Sequence, residues 1–369
     1  MEEKEYWYWL SKIEEVGFAA RKALFRCFSS PREVFFAGEK ILSKIEGLND
    51  KTRKALLSEK YRNGFIEEFH KLKTKNIYFV TKQEPDFPER LRKIPQAPDF
   101  LFYRGRLPDA EAPAVAIIGA RECSAYGRGI AMEFAEQLSM TGIHIISGMA
   151  RGIDGYAQRA AIRYGKSYAV LGCGVDICYP IENFRLYEEL EEKGGILSEY
   201  PPGSPGTAWH FPMRNRLISG LSDGIVVVEA RKKSGTLITV EHALDQGKDV
   251  FAVPGRLKES LSEGCNELIR QGACPVLGSA DIIEELLKHY PKIGNTTSKE
   301  KKFEGKNNFL LEQQEKIVYA YLSLEPRHIE ELIREFHMEL PELMKILFSL
   351  ETKGMIYSPA GNYYAVLQQ

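Results

Sequence analysis

Four short segments of this sequence interleave glycine, hydroxyl and cationic residues in a way that suits phosphate groups. They are Gly119-Ala120-Arg121, followed by Ser124, Tyr126 and Gly127; Ser147-Gly148-Met149-Ala150-Arg151-Gly152-Ile153-Asp154; Phe211-Pro212-Met213-Arg214-Asn215-Arg216; and Lys233-Ser234-Gly235-Thr236. Glycines such as Gly148, Gly152 and Gly235 let a backbone come close to a ligand, while arginine and lysine meet its oxyanions. Ser147 is read as a donor to a phosphate oxygen, and Asp154 as the group that fixes a neighbouring arginine or loop N–H. Lys233 to Thr236 enters a helical stretch, Leu237 to Gln246, whose first-turn N–H groups form an anion site. Singly, each segment has a structural reading: glycine for a turn, arginine for a surface pair, aspartate for a cap. Together they predict an oxyanion pocket of three arginines, one lysine and two helix N-termini.

Other motifs fail on context. Gly119-Ala-Arg-Glu-Cys-Ser124 lacks G-x-G-x-x-G and puts an arginine where a pyrophosphate needs close backbone approach, so no dinucleotide cofactor is expected. Gly165-Lys166-Ser167 looks like the end of a P-loop, but Ala160 stands in the place of the leading glycine and the segment precedes a strand. Gly220-Leu-Ser-Asp-Gly224 matches a nucleophile elbow, yet Ser222 also lies before a strand, not on a strand-to-helix turn. The cysteines at 27, 123, 173, 178, 265 and 274 form no C-x-x-C pair and have no histidine at ligand spacing, so reduced thiols are expected and no metal.

The elements that position the four segments are short apolar strands alternating with helix-length amphipathic stretches from about 114 to 290. The strands run from Ala114 to Gly119, Ile143 to Gly148, Ser167 to Gly172, Ile196 to Tyr200, Gly224 to Ala230 and Asp249 to Gly255. Strands apolar throughout, joined by helices, make a doubly wound, mostly parallel sheet, and its ligand belongs at the carboxyl edge where the four segments converge. Ile77 to Lys82 and Phe100 to Gly105 are expected as edge strands, because Pro85, Pro88, Pro95 and Pro98 forbid a long helix between them. The fold class is therefore α/β, an extended Rossmann-like core.

Two further regions flank it. Residues 1–75 are helical and contain a repeat at an offset of 32: Lys12 to Leu24 matches Lys44 to Leu56 at seven of thirteen positions. This predicts a helix-hairpin-helix-like (or SAM-like) domain. A structural role is favoured over weak DNA-backbone binding, since the glycines at 17 and 47 each keep only half of a Gly-apolar-Gly hairpin. Trp7, Tyr8 and Trp9 are placed in the core of the first helix. After the core at 76–290, residues 291–308 are a polar, Lys-rich linker. Residues 309–369 predict three helices, roughly Asn308 to Leu322, Arg327 to Phe336 and Pro341 to Lys353, and then a hairpin, Met355 to Ser358 with Tyr363 to Leu367, the pattern of a winged helix. Its third helical stretch, Glu339 to Lys353, holds three acidic residues against two lysines, which favours protein binding over duplex reading.

The chain of 369 residues has 44% hydrophobic and 27% charged residues, ordinary globular usage that excludes a disordered or collagenous chain. No apolar run is long enough to span a bilayer, and the acidic, aromatic start is unlike a signal peptide, so a cytoplasmic protein without membrane contact is expected. The net charge is −1, and the 16 basic and 12 acidic groups of residues 1–75 are the largest local excess of positive charge. No region is basic enough to hold nucleic acid by bulk charge, so any phosphate site is local.

The sequence resembles the DNA-processing protein A family (DprA, also called Smf) over nearly all its length. The resemblance rests on AIIGAR (116–121), ISGMARGID (146–154), VLGCGVDICYP (170–180), SEYPPG (198–203), FPMRNRLISGLSDGIVVVEA (211–230), KSGTLIT (233–239), FAVPG (251–255) and GCNELIRQGA (264–273). Members usually carry Gly-Ser-Arg where Gly119-Ala120-Arg121 stands, so one hydroxyl contact is absent. Gly-Ser-Leu is also common where this chain has Gly235-Thr236-Leu237. The resemblance implies a non-enzymatic protein that binds single-stranded DNA, forms a homodimer through the core and loads RecA during natural transformation. It implies that Arg121, Ser147, Gly148, Gly152, Asp154, Phe211, Arg214, Asn215, Arg216, Lys233, Ser234 and Gly235 line the DNA pocket, with Arg151 and Thr236 in the same loops. Phe211 or Tyr126 is placed against a base, or Phe211 in the core. Two rival readings stay open, a phosphoribohydrolase-like enzyme and a nucleotide sensor reporting through the winged helix. The enzyme would need a carboxylate where Thr239 stands, and Glu241 is displaced two residues, roughly 200° around the helix.

Overall fold

A computed structural model describes residues 2–290, 315, 318–319, 321–322, 326–336, 338–353 and 355–366. The chain forms two compact units, Met1–Ser298 and Lys299–Gln369. The first is built on a nine-stranded sheet: β1 Tyr78–Thr81, β2 Phe100–Gly105, β3 Ala114–Ile118, β4 His144–Ser147, β5 Ser167–Val170, β6 Gly195–Ser198, β7 Gly224–Val227, β8 Asp249–Ala252 and β9 Cys274–Pro275. Their order is β1-β2-β6-β5-β4-β3-β7-β8-β9. From β6 to β9 every pairing is parallel, and β1 and β2 close one edge antiparallel. Strands β3 to β7 are buried at every residue, as sequences apolar on both faces require when helices cover both sides. Chain order runs outward from β3 to β6 and then returns to β7 on the other side of β3. The topological switch point is therefore the crevice between the carboxyl ends of β3 and β7.

The six expected core strands and both edge strands are present, so the expected extended Rossmann-like α/β core is the observed fold. Strand β9 has no counterpart in the sequence pattern, because two exposed residues at a sheet edge carry no periodic signal. The N-terminal helices pack on the sheet in one continuous apolar cluster that holds Tyr6, Trp9, Phe79, Phe102 and Ile196. Trp7 and Trp9 are 5% and 0% exposed, in the core as expected. The 32-residue repeat is visible as geometry, because Arg21 Nη1 donates to Val16 O (3.2 Å) and Arg53 Nη1 donates to Leu48 O (3.0 Å), the same bond in both copies. All six cysteines are free thiols. Burial raises Cys173 to about 11 and Cys265 to about 12.

The second unit holds β10 Arg327–His328, helices Ile329–Phe336 and Leu340–Thr352, β11 Ile356–Ala360 and β12 Tyr363–Val366, with sheet order β10-β12-β11. This is a winged helix with its own apolar core around Leu332, Leu343, Leu347 and Leu350. The expected linker at 291–308 and most of the first expected helix lie outside the described residues.

Candidate functional site

A cavity of about 700 Å³ opens at the switch point, lined from the β3 end, the helices His210–Leu221 and Gly235–Asp245, and the loop after β7. Arg121 stands exposed on the loop after β3, its guanidinium 5.6 Å from the ring centre of Phe211. The Arg214 guanidinium lies 5.9 Å from the same ring, and the Tyr179 ring packs at 5.3 Å. Phe211 is half-buried and forms a cavity wall between two cations and a second aromatic ring.

Arg214 forms the floor. It is 5% exposed, and its Nη1 donates to the Val170 carbonyl and to Gly148 O (3.0 Å). Gly148 N–H donates to Asp154 Oδ2 (3.1 Å), so one residue, through its N–H and its carbonyl, joins the buried carboxyl to the buried cation. A Cβ at Gly148 would lie 2.7 Å from Arg214 and 2.8 Å from Asp154, which is why glycine stands there. Burial lowers the Arg214 guanidinium to about 10, with Asp154 opposing the drop. Burial likewise raises the Asp154 carboxyl, with Arg214 opposing the rise. Arg214 therefore remains a cation at neutral pH, fixed by two carbonyls and facing the cavity.

Lys233, Ser234, Gly235 and Thr236 form the opposite wall. Ser234 Oγ accepts from Thr236 N–H (3.2 Å), and the Thr236 hydroxyl donates to Gly119 O (3.2 Å), which ties this helix start to the Arg121 loop. Asn215 Nδ2 donates to Gly235 O (3.4 Å) across the cavity. Arg231 and Tyr179 also line it and were not singled out from the sequence. Tyr179 lies in a segment quoted only for its resemblance, and Arg231 has no motif of its own.

Several expectations are corrected. Ser147 is wholly buried and its hydroxyl donates to Ile117 O (2.7 Å), so it does not reach a phosphate. Arg216 is 4% exposed and pairs with Glu199, turned towards the N-terminal helices where Arg21 joins Glu199 (3.7 Å) and Asp99 (2.8 Å). Arg151 is exposed outside the cavity and pairs with Glu182. Gly152 has φ +75°, and a Cβ there would strike the Ala120 and Arg121 backbone, so it serves the packing of two loops. The helix Ile153–Tyr164 spends its first N–H on Ala120 O (3.2 Å), and the Glu229 carboxylate sits at the start of helix Ala125–Met140. Of the helix starts expected to hold anions, the one at Gly235 borders the cavity. Tyr126 is exposed but does not line it. Ser222 is buried with its hydroxyl on Ile218 O (2.9 Å), and Glu241 is exposed outside the cavity, so neither supplies hydrolytic chemistry there.

Fold and site define an extended Rossmann-like protein with a cationic, aromatic-walled cavity at its switch point and a winged helix in a second unit. The family model for DNA recombination-mediator protein A matches residues 78–287, and that for the DprA winged helix domain matches residues 307–362. Protein Smf of Escherichia coli is 35% identical over 300 residues, covering 79% of this chain and 78% of its own. DNA processing protein DprA of Streptococcus pneumoniae is 42% identical over 200 residues, 54% of this chain and 71% of that protein. The X-ray structure of the pneumococcal protein superimposes with a TM-score of 0.65 at 32% identity, covering 77% of this chain and 99% of that one. DNA processing protein A from Helicobacter pylori, solved for its single-stranded DNA binding mode, gives a TM-score of 0.52 at 31% identity over 57% of this chain and 97% of its own. This chain belongs to the DNA-processing protein A (DprA/Smf) family.

Proposed function

We propose that this chain binds single-stranded DNA in the switch-point cavity, without catalysis, and as a cytoplasmic homodimer protects incoming strands and loads RecA onto them during transformation or recombination. The observation that carries this reading is Arg121 exposed over the half-buried Phe211 ring, with Lys233 on the facing wall. A cation to meet phosphate beside a ring to meet a base is the minimal unit of strand binding. Because the net charge is −1, this unit must do locally what bulk charge cannot, and a dimer doubles it. Among the described residues no helix is long and apolar enough to cross a membrane.

The winged helix fits a protein partner better than a duplex. Leu340, Met344 and Phe348 are 48%, 41% and 70% exposed, one apolar stripe on the helix that would otherwise read a major groove.

The test is fluorescence anisotropy of a labelled poly-dT strand and its duplex counterpart across a salt series. Tight single-strand binding, weaker duplex binding and a log–log slope of about −0.7 per phosphate contacted are expected. Arg121→Ala should weaken strand binding about tenfold or more and make that slope shallower by about 0.7, the effect of one lost phosphate contact. Unchanged affinity in that variant sinks the site assignment. Absence of strand binding at low salt, with saturable mononucleotide binding or release of adenine from AMP, would transfer the cavity to the sensor or enzyme reading.

A further inference from the structure

In a Rossmann-type sheet the helix that follows the first strand points its N-terminus at a ligand phosphate. Here that helix is Ala125–Met140, which follows β3, and its start is already occupied. Glu229, two residues beyond the end of β7 and 4% exposed, accepts from Ser124 N–H through Oε2 (2.9 Å) and from the Ser124 hydroxyl through Oε1 (2.5 Å). Ser124 Oγ in turn accepts from Gly127 N–H (2.9 Å), capping the helix. A Cβ at Gly127 would collide with the Glu229 carboxylate, so the helix start is shaped around this side chain. The loop between β3 and this helix carries Arg121. It is held by Thr236 at Gly119 O, by Ile153 N–H at Ala120 O, and by Glu229 at Ser124.

We propose that Glu229 is the resident anion of this helix: it takes the place of a ligand phosphate at the helix start, excludes a dinucleotide from the fold, and positions Arg121 for strand binding. Glu229 thus acts through Arg121 as a positioning residue, a role that rests on the strand-binding reading above. Burial, and then the nearby negative charge of Glu229, raise the neighbouring Cys123 thiol.

The experiment is a double-mutant cycle in the full-length protein, read by anisotropy of a labelled poly-dT strand. Glu229→Ala should weaken binding about tenfold, the scale of losing hydrogen bonds to a charged group. The Glu229→Ala/Arg121→Ala pair should bind no more weakly than Arg121→Ala alone, because both changes remove one contact. Glu229→Gln should recover most of the loss, since its amide oxygen still accepts from Ser124 N–H. Losses that multiply in the double variant, or Glu229→Ala binding as the wild type does, overturn the proposal while leaving the cavity reading intact. An Arg121→Ala variant that binds normally overturns the cavity reading itself. Inorganic pyrophosphate supplies a second readout: it should raise the melting temperature of Glu229→Ala more than that of the wild type, and equal shifts would refute the exclusion of a dinucleotide. If Glu229→Ala fails to fold, Ser124→Ala, which removes one of the two donors, should show a smaller loss with the same non-additivity, and an unchanged affinity would count against the proposal.

Discussion

Arg121 and Arg214 sit on one ring, yet one is exposed and the other buried on two carbonyls, so substitutions at the two sites should report different things. The ring between them is a cleaner probe of strand binding. Phe211→Ala should weaken poly-dT binding by about 1–3 kcal/mol if a base stacks there, and Phe211→Tyr should largely retain it. A strand affinity unmoved by Phe211→Ala would mean that the ring serves only to seat Arg121. His144, at the start of β4, supplies a pH probe away from the site. It is 5% exposed with Nδ1 lacking a hydrogen-bond partner among the described residues. Burial, and then Lys166, lower its pKa to about 4. The unfolded chain takes up this proton below about pH 6.5 whereas the folded chain refuses it until about 4, so its contribution is complete above 6.5 and is lost on acidification across that window. His144→Phe should make unfolding less acid-sensitive by about 2 kcal/mol between pH 7.5 and 4.5, measured by urea denaturation. Equal acid sensitivity in the two proteins would remove His144 as a cause.

At the scale of elements, the helix His210–Leu221 faces two ways. Phe211, Arg214 and Asn215 line the cavity, while Arg216 joins Glu199, Arg21 and Asp99 in an alternating chain of charges that fastens the N-terminal helix Phe18–Leu24 to the core. Arg216→Ala leaves the largely enclosed Glu199 carboxylate with half its pairing, and should destabilise the fold by about 3–5 kcal/mol. Arg121→Ala removes no core contact and should leave the melting temperature nearly unchanged. Thermal unfolding of the two variants checks the contrast, and similar losses in both would place Arg121 in the framework instead of the site. The start of helix Ala125–Met140 is similarly intolerant. Gly127→Ala should destabilise by more than the cost of a usual surface change, since the new methyl meets the Glu229 carboxylate. Stability equal to the wild type in chemical denaturation would show that this contact relaxes freely.

Across the whole molecule, the two units have separate apolar cores, and the cavity belongs wholly to Met1–Ser298. A chain ending at Ser298 should therefore keep the poly-dT affinity and salt slope of the full-length protein. A large loss in anisotropy would assign the winged helix a share of the strand. The same truncation should abolish any contact made through the Leu340, Met344 and Phe348 stripe.

The sequence by itself determined the core strands and the edge at which a ligand belongs, because all-apolar runs joined by helix-length segments admit few topologies. It also determined the family, through motifs whose spacing survives in the chain. Only the tertiary structure decided which of the polar residues in those motifs face the cavity. Ser147, Arg214 and Arg216 read alike as phosphate ligands along the chain, but a side chain's partner is set by what packs beside it in space. Ser147 meets Ile117, Arg214 meets Gly148 and Val170, and Arg216 meets Glu199, each contact bridging 17 residues or more. The same holds for Glu229, which ends an apolar strand segment with no chemistry legible in its neighbours and acquires its place only because β7 returns beside β3.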